Sequence, residues 1–281
     1  MGVLPGSLQG ALGEPDLSVP LAERMRPQSL DDIAGQEHLV GPGRPLRRAV
    51  EGDKLRSLIL WGPPGVGKTS LARVIALTTR SHFIGLSAVT AGVKEVRAAA
   101  QEALWRKEQG QGTLLFLDEV HRFNKAQQDL LLPFVEDGTL VLIGATTENP
   151  SFEVIGALRS RSQLVVLHAL SEADMKRVVE RALASPAGLA GGLSLGPDVL
   201  DLLVLWADGD ARRALNALEA LWIHARTEEA GLQAGLKVGL SVAKEVLGSK
   251  GTVLDKGGEH FYNLMSALHK SVRGCDPDAA L

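Results

Sequence analysis

Residues 57–79 confine the possible folds of this chain more than any other stretch. Ser57-Leu58-Ile59-Leu60-Trp61 is an apolar run of strand length, Gly62-Pro63-Pro64-Gly65-Val66-Gly67-Lys68-Thr69 is turn-forming, and Lys68 to Thr79 repeats apolar residues at helical spacing. Strand, glycine loop and helix in direct succession make a βα unit, and the loop matches G-x-x-x-x-G-K-[S/T] in that setting. Glycines let backbone N–H groups approach anionic oxygens without a Cβ in the way, and the helix start adds partial positive charge. The run therefore reads as a cradle for nucleotide phosphates. Lys68 would neutralise the β- and γ-phosphates, and Thr69 would hold Mg²⁺ through its hydroxyl. Without the flanking strand and helix the same residues would be an ordinary Gly/Pro turn.

The βα rhythm continues. His82 to Ala88, Thr113 to Asp118, Leu140 to Ala145 and Leu164 to Leu167 read as strands, with helices at Val93 to Glu108 and Lys125 to Val135 between them. Five short apolar strands alternating with helices imply an α/β domain with a parallel sheet covered on both faces. After about His168 the strand signal vanishes, and Glu172 to Ala184, Asp198 to Ala207 and Asp210 to Ala225 read as amphipathic helices of a small all-α lid domain. Gly188 to Gly192 and Glu229 to Gly258 read as loops or linkers between helices. The expected layout is a poorly ordered leader or tag remnant over 1–20, the sheet domain over 21–168, the lid over 169–250, and over 251–281 the start of a further helical region. The end at Leu281 reads as a cut inside a longer protein.

Composition narrows the class further. Thirty Lys and Arg against 33 Asp and Glu give a net charge of −3, so any contact with nucleic acid must come from local patches. The single cysteine, Cys275, excludes an internal disulfide and a cysteine zinc site and fits a reducing compartment, the cytoplasm. No apolar run approaches the roughly 20 residues that span a bilayer, and no signal sequence is visible.

Leu114-Leu115-Phe116-Leu117-Asp118-Glu119 is an apolar strand that ends in two adjacent carboxylates. After a phosphate cradle, a strand-end Asp organises the metal, and the Glu one residue on can act as general base toward a water facing the γ-phosphate. That favours hydrolysis over transfer to another acceptor. Alone, the Asp-Glu pair could simply cap the next helix. Gly144-Ala145-Thr146-Thr147-Glu148-Asn149-Pro150 closes the next strand with hydroxyls and an amide suited to orienting a water, although Thr and Asn are also ordinary turn formers. Ser160-Arg161 and Gly209-Asp210-Ala211-Arg212-Arg213 offer arginines able to pair with developing phosphate charge. Read by itself, any one of them is a surface charge. His121 reads as a polar residue at a helix start rather than a metal ligand. Trp61, Trp105, Trp206 and Trp222 read as core or domain-interface packing. The basic groups Arg44/Arg47/Arg48, Arg122/Lys125 and His269/Lys270/Arg273 read as solvated faces.

Gly62 to Thr69, Asp118 to Lys125, Gly144 to Phe152, Ser160-Arg161 and Gly209 to Asn216 occur in an order and spacing that resemble an AAA+ ATPase, in particular the replication-associated recombination protein A family, which includes the Werner-helicase-interacting ATPase. Ser266 to Gly274 is similar to that family's C-terminal signature. The resemblance runs from about Leu21 to the end. It implies that Gly62 through Ser70 hold ATP, that Thr69 and Asp118 hold Mg²⁺, and that Glu119 and Lys68 act on the reacting phosphate. Thr147, alone or with Thr146, resembles sensor 1, Arg161 an arginine finger reaching a neighbouring subunit's ATP, and Arg212 sensor 2. Ile33 to Gln36 resemble the adenine-contacting segment, and Ser87 a polar partner holding Glu119 inactive until DNA arrives. Arg159 stands where the family places an aliphatic residue.

By the same resemblance, ATP lies between sheet domain and lid, and hydrolysis is coupled to DNA remodelling at stalled or recombining replication forks. The implied partners are single-stranded, gapped or forked DNA and single-stranded-DNA-binding protein, and the implied assembly is a homo-oligomer, a tetramer in the full-length protein, associated with the nucleoid. Two other readings stay open: a nucleotide-gated adaptor, and a P-loop phosphotransferase.

Overall fold

The computed structural model describes residues 18–228 and 235–248. The leader over 1–17, the signature Ser266 to Gly274, Cys275 and the region 251–281 lie outside the described residues. The described chain divides into two compact units. One comprises the described residues of Pro27–Ser171 with Asp208–Asp210, the other those of Met1–Arg26, Glu172–Ala207 and Ala211–Ser249.

Chain order begins with a short helix α1 (Leu21–Arg24), which belongs to the second unit. The first unit then follows with α2 (Glu37–Val40), α3 (Pro45–Glu51), β1 (Leu58–Trp61), α4 (Lys68–Thr79), β2 (His82–Ser87), α5 (Val93–Glu108), β3 (Thr113–Asp118), α6 (Lys125–Asp129), α7 (Leu132–Glu136), β4 (Val141–Thr146), α8 (Pro150–Glu153), α9 (Gly156–Arg161) and β5 (Gln163–Val166). The five strands form a parallel sheet in the order β2-β3-β4-β1-β5. Period-two alternation within apolar runs supplies both faces. Leu58, Leu60, Leu114, Phe116, Ile143 and Ala145 pack with α4, while Ile59, Leu115, Leu117 and Leu142 pack with α5 and with Val120, Leu131 and Leu158.

The expected helix over Lys125 to Val135 is broken into α6 and α7. Pro133 occupies the first turn of α7. It has no N–H to donate, and its ring would clash with the carbonyl four residues back, so a continuous helix cannot pass through it. Asn124 caps α6, accepting from the Gln127 N–H at 2.9 Å while Gln127 returns the bond to the Asn124 N–H.

The second unit contains α10 (Glu172–Ala184), β6 (Leu193–Leu195), α11 (Pro197–Ala207), α12 (Ala211–Glu228), β7 (Leu236–Val238) and α13 (Leu240–Leu247). The helical character expected after His168 is present, with two additions. β6 and β7 pair as a two-stranded parallel sheet, and α13 lies in a stretch read as linker. Three-residue strands are too short for an alternation signal to stand out. α1 packs against α12: the Leu21 N–H donates to Glu219 Oε1 at 2.9 Å, and Arg24 donates to the Ala187 and Gly188 carbonyls at 3.0 and 2.7 Å. Residues 21–26 therefore belong with the helices, not with the sheet where the sequence reading placed them. Of the four tryptophans, Trp222 is buried as expected. Trp105 instead stands 57% exposed on α5 with the Arg106 guanidinium over its ring, and Trp206 carries Arg213 at 4.0 Å from its centroid.

Candidate active site

The sheet order brings the chemistry-bearing ends together. β1 lies between β4 and β5, and β3 lies beside β4, with Trp61 opposite Thr146, Leu117 opposite Gly144 and Ser87 opposite Asp118. The loop after β1, the carboxylates after β3 and the hydroxyls after β4 thus emerge from one edge of the parallel sheet, where open α/β sheets bind ligands.

The 62–69 loop has the properties of a phosphate cradle. A Cβ on Gly62 would stand 2.4 Å from the Leu167 carbonyl oxygen, and one on Gly65 (φ +70°) would overlap the Asp210 carboxylate. Gly67 takes φ +98° as N-cap of α4, with no side chain to satisfy the helix's first N–H groups. These donors, from the turn of Lys68, Thr69 and Ser70, are what an anion would accept from. Pro63 and Pro64 are exposed, while Val66 is buried and anchors the loop. Lys68 is 8% exposed, and its ammonium donates to the Gly62 and Pro63 carbonyls at 2.7 and 2.8 Å, inside the loop. A dense anion fits this arrangement.

Asp118 and Glu119 are both partly exposed at the end of β3, and Asp118 Oδ1 accepts the Glu119 N–H at 3.2 Å. Thr69 at the start of α4 and Asp118 provide hard oxygen donors of the kind Mg²⁺ selects. Glu119 sits in the left-handed region (φ +56°, ψ +45°), which sharply turns the chain into a 3₁₀ turn over Val120–Arg122. That turn brings His121 back beside Glu119. His121 Nε2 lies 3.1 Å from Glu119 Oε2, and Nδ1 lies 2.9 Å from Thr146 Oγ1. His121 is therefore no mere helix-start residue, as the sequence suggested. A search for metal-ligand spacing passes over it, since its partners are one carboxylate two residues back and one hydroxyl on another strand.

Thr146 is fully buried and its hydroxyl accepts the Glu148 N–H at 3.0 Å, whereas Thr147 is partly exposed. Ser87 ends β2, and its hydroxyl accepts the Val89 N–H at 3.4 Å; the Glu119 carboxylate pairs with His121. Ile33 is buried in the sheet's core beside α4, and the fully buried Gln36 side chain both donates to and accepts from the His168 backbone, at 2.8 and 3.1 Å. The 3₁₀ turn before Ile33 is tied down by Arg47, whose guanidinium holds the Asp31 carboxyl below its ordinary range. Arg47 also bonds Glu51, so that member of its basic group is committed to ion pairs.

Arg161 ends α9, exposed, with Glu136 of α7 at 2.6 Å and the Ala157 carbonyl at 2.9 Å. Arg212 is exposed in the first turn of α12, in the second unit. Gln128 was not singled out by sequence reasoning. It is 1% exposed, donates to the Phe123 and Glu153 carbonyls and accepts the Ile155 N–H, thereby joining the segment after Glu119 to the one leading into α9.

Residues 58–169 match the AAA family, described as ATPases associated with various cellular activities, and residues 190–273 match the AAA C-terminal domain. Replication-associated recombination protein A of Haemophilus influenzae is 48% identical over 93% of this chain. ATPase WRNIP1 of Dictyostelium discoideum is 41% identical over 92% of it. The chain spans 58% of the length of the first and 31% of the second. The fold is also that of the Thermotoga maritima RuvB Holliday junction branch migration motor, at 23% identity and a TM-score of 0.65 over 89% of this chain and 81% of that one. No helix among the described residues is long and apolar enough to cross a membrane. With its phosphate cradle, its strand-end carboxylates and its relatives in agreement, the chain belongs to the AAA family of ATPases, in the group of replication-associated recombination protein A.

Proposed function

We propose that this chain hydrolyses ATP, and that the protein couples the hydrolysis to DNA remodelling at stalled or recombining replication forks. The observation that carries the reading is the convergence of the Lys68 loop, Asp118-Glu119 and Thr146-Thr147 at one edge of the sheet, where a dense anion, a cation and a water each have suitable partners. In this reading Gly62 to Ser70 bind the phosphates and Lys68 neutralises the γ-phosphoryl group. Ile33 contacts the adenine side, and Thr69 and Asp118 hold Mg²⁺, which when bound withdraws charge from the phosphate oxygens. The Glu119 carboxylate takes a proton from water as the water oxygen bonds to the γ-phosphorus. The bond to the bridging oxygen breaks with its electron pair leaving on ADP. Thr147 orients the water or the γ-phosphate, Arg212 acts as sensor 2, and Arg161 acts on the ATP of a second copy.

The DNA partner, single-stranded-DNA-binding protein as a contact, and assembly as a tetramer belong to the same proposal. The relatives' names support the DNA partner and an exposed Arg161 is available to a second copy, whereas single-stranded-DNA-binding protein and the tetramer rest on the family resemblance alone. Phosphate release measured with no DNA and with single-stranded, duplex and forked DNA tests it. Hydrolysis that rises with DNA and falls to a small residual rate in Glu119→Gln is the expected result. Labelling of an acceptor without free phosphate would make the protein a phosphotransferase, and function intact in Glu119→Gln would make it an adaptor.

A further inference from the structure

Resting on the reading of Glu119 as the base, we propose that His121 is a positioning residue that fixes the Glu119 carboxylate and links its orientation to the end of β4 through Thr146. Both ring nitrogens of His121 are engaged by side chains, Glu119 Oε2 at 3.1 Å and Thr146 Oγ1 at 2.9 Å. Proton accounting gives the chain of bonds a direction. An ionised carboxylate only accepts, so Nε2 carries the hydrogen toward Glu119, an assignment made from the bonding network. In the neutral ring Nδ1 is then an acceptor, and the single hydroxyl proton of Thr146 goes to it at 2.9 Å rather than to the Glu148 carbonyl oxygen, which lies farther off at 3.2 Å. The Thr146 oxygen in turn accepts the Glu148 N–H at 3.0 Å. The relay runs from the Glu148 backbone N–H through Thr146 and His121 to Glu119.

The local backbone is shaped for this contact. Glu119 is held at positive φ, a conformation that is unfavourable for a residue with a Cβ and that persists where surrounding structure fixes it, often at functional sites. The turn is fastened on both sides: the Arg122 N–H donates to the Glu119 carbonyl at 2.8 Å, and Val120 is fully buried. The His121 side chain is 9% exposed and that of Glu119 is 34% exposed, so the imidazole is fixed while the carboxylate still faces solvent, where a water can reach it. A histidine serving only to start a helix would bond nearby backbone. This one bridges the ends of two strands, and Thr146 immediately precedes the residue expected to sense the γ-phosphate. Movement of residues 146–148 on nucleotide binding would therefore turn the base.

The test is steady-state ATP hydrolysis by the whole protein. His121→Ala should lower kcat about 10- to 100-fold, as misplacement of a catalytic group does, with KM for ATP within about twofold. His121→Gln, whose amide can donate near the place of Nε2, should recover most of the loss, and Thr146→Val, which keeps the volume, should lower kcat less. In a Glu119→Gln background, adding His121→Ala should leave the residual rate unchanged, because no carboxylate remains to be positioned. Unchanged kcat in His121→Ala, a loss confined to KM, or an equal loss in the Glu119→Gln background would overturn the proposal while leaving the ATPase reading in place. A wild-type chain that releases no phosphate, or a Glu119→Gln variant as active as wild type, would overturn that reading and this proposal with it.

Discussion

Gly65 and Arg161 show how much a single position can carry. Gly65 combines φ +70° with an Asp210 carboxylate where a Cβ would be, so Gly65→Ala must both strain the backbone and displace a neighbour. We expect ATP affinity to fall at least tenfold and the thermal midpoint of the protein to drop by a few degrees, measured by nucleotide titration and by unfolding. Arg161 is held by Glu136 and by its own helix's Ala157 carbonyl. Arg161→Ala should leave ATP binding nearly intact and lower turnover on the order of 10³-fold, the contribution of arginines supplied in trans in related phosphoryl transfer. Unchanged turnover in the assembled oligomer would remove Arg161 from the site. Lys68, Asp118 and Glu119 were legible because their chemistry is tied to fixed neighbours in sequence. His121, Glu136 and Gln128 were not, since each acquires its meaning from a partner on a different element.

At the scale of elements, the strands and the long helices of the sheet unit follow from local pattern: Lys68–Thr79, Val93–Glu108 and Thr113–Asp118 fall where periodicity placed them. Their apolar residues repeat over enough positions for the period to be read. Short elements escape that logic. The break between α6 and α7 follows from one residue, Pro133, rather than from a period, while β6 and β7 depend on each other's backbone rather than on a pattern of their own. Gln128 illustrates how an element is tied to its surroundings. Gln128→Leu keeps the bulk but leaves the Phe123 and Glu153 carbonyls and the Ile155 N–H without their partner. An unsatisfied buried group costs about 1–3 kcal/mol, so a destabilisation of about 3 kcal/mol is expected in urea unfolding. A change below about 1 kcal/mol would mean that water replaces the amide.

At the scale of the whole molecule, the chain crosses between units more often than its sequence shows, because α1 packs with helices that begin about 150 residues later. Leu21 is fully buried there. Leu21→Ala should destabilise the helical unit by about 2–4 kcal/mol, read by hydrogen exchange as faster opening of α12, while amides of β1, β3 and β4 keep their protection. Uniform loss of protection in both units would show that they unfold together. The sequence by itself determined the parallel α/β sheet, the phosphate cradle and the carboxylates after β3, because each is written in contiguous residues whose period or spacing has one physical reading. The tertiary structure alone decided that β4 separates β3 from β1, that His121 spans Glu119 and Thr146, and that residues 21–26 join the helical unit. Such arrangements are set by which surfaces bury one another and which distant donors meet acceptors, and no local run of residues encodes them.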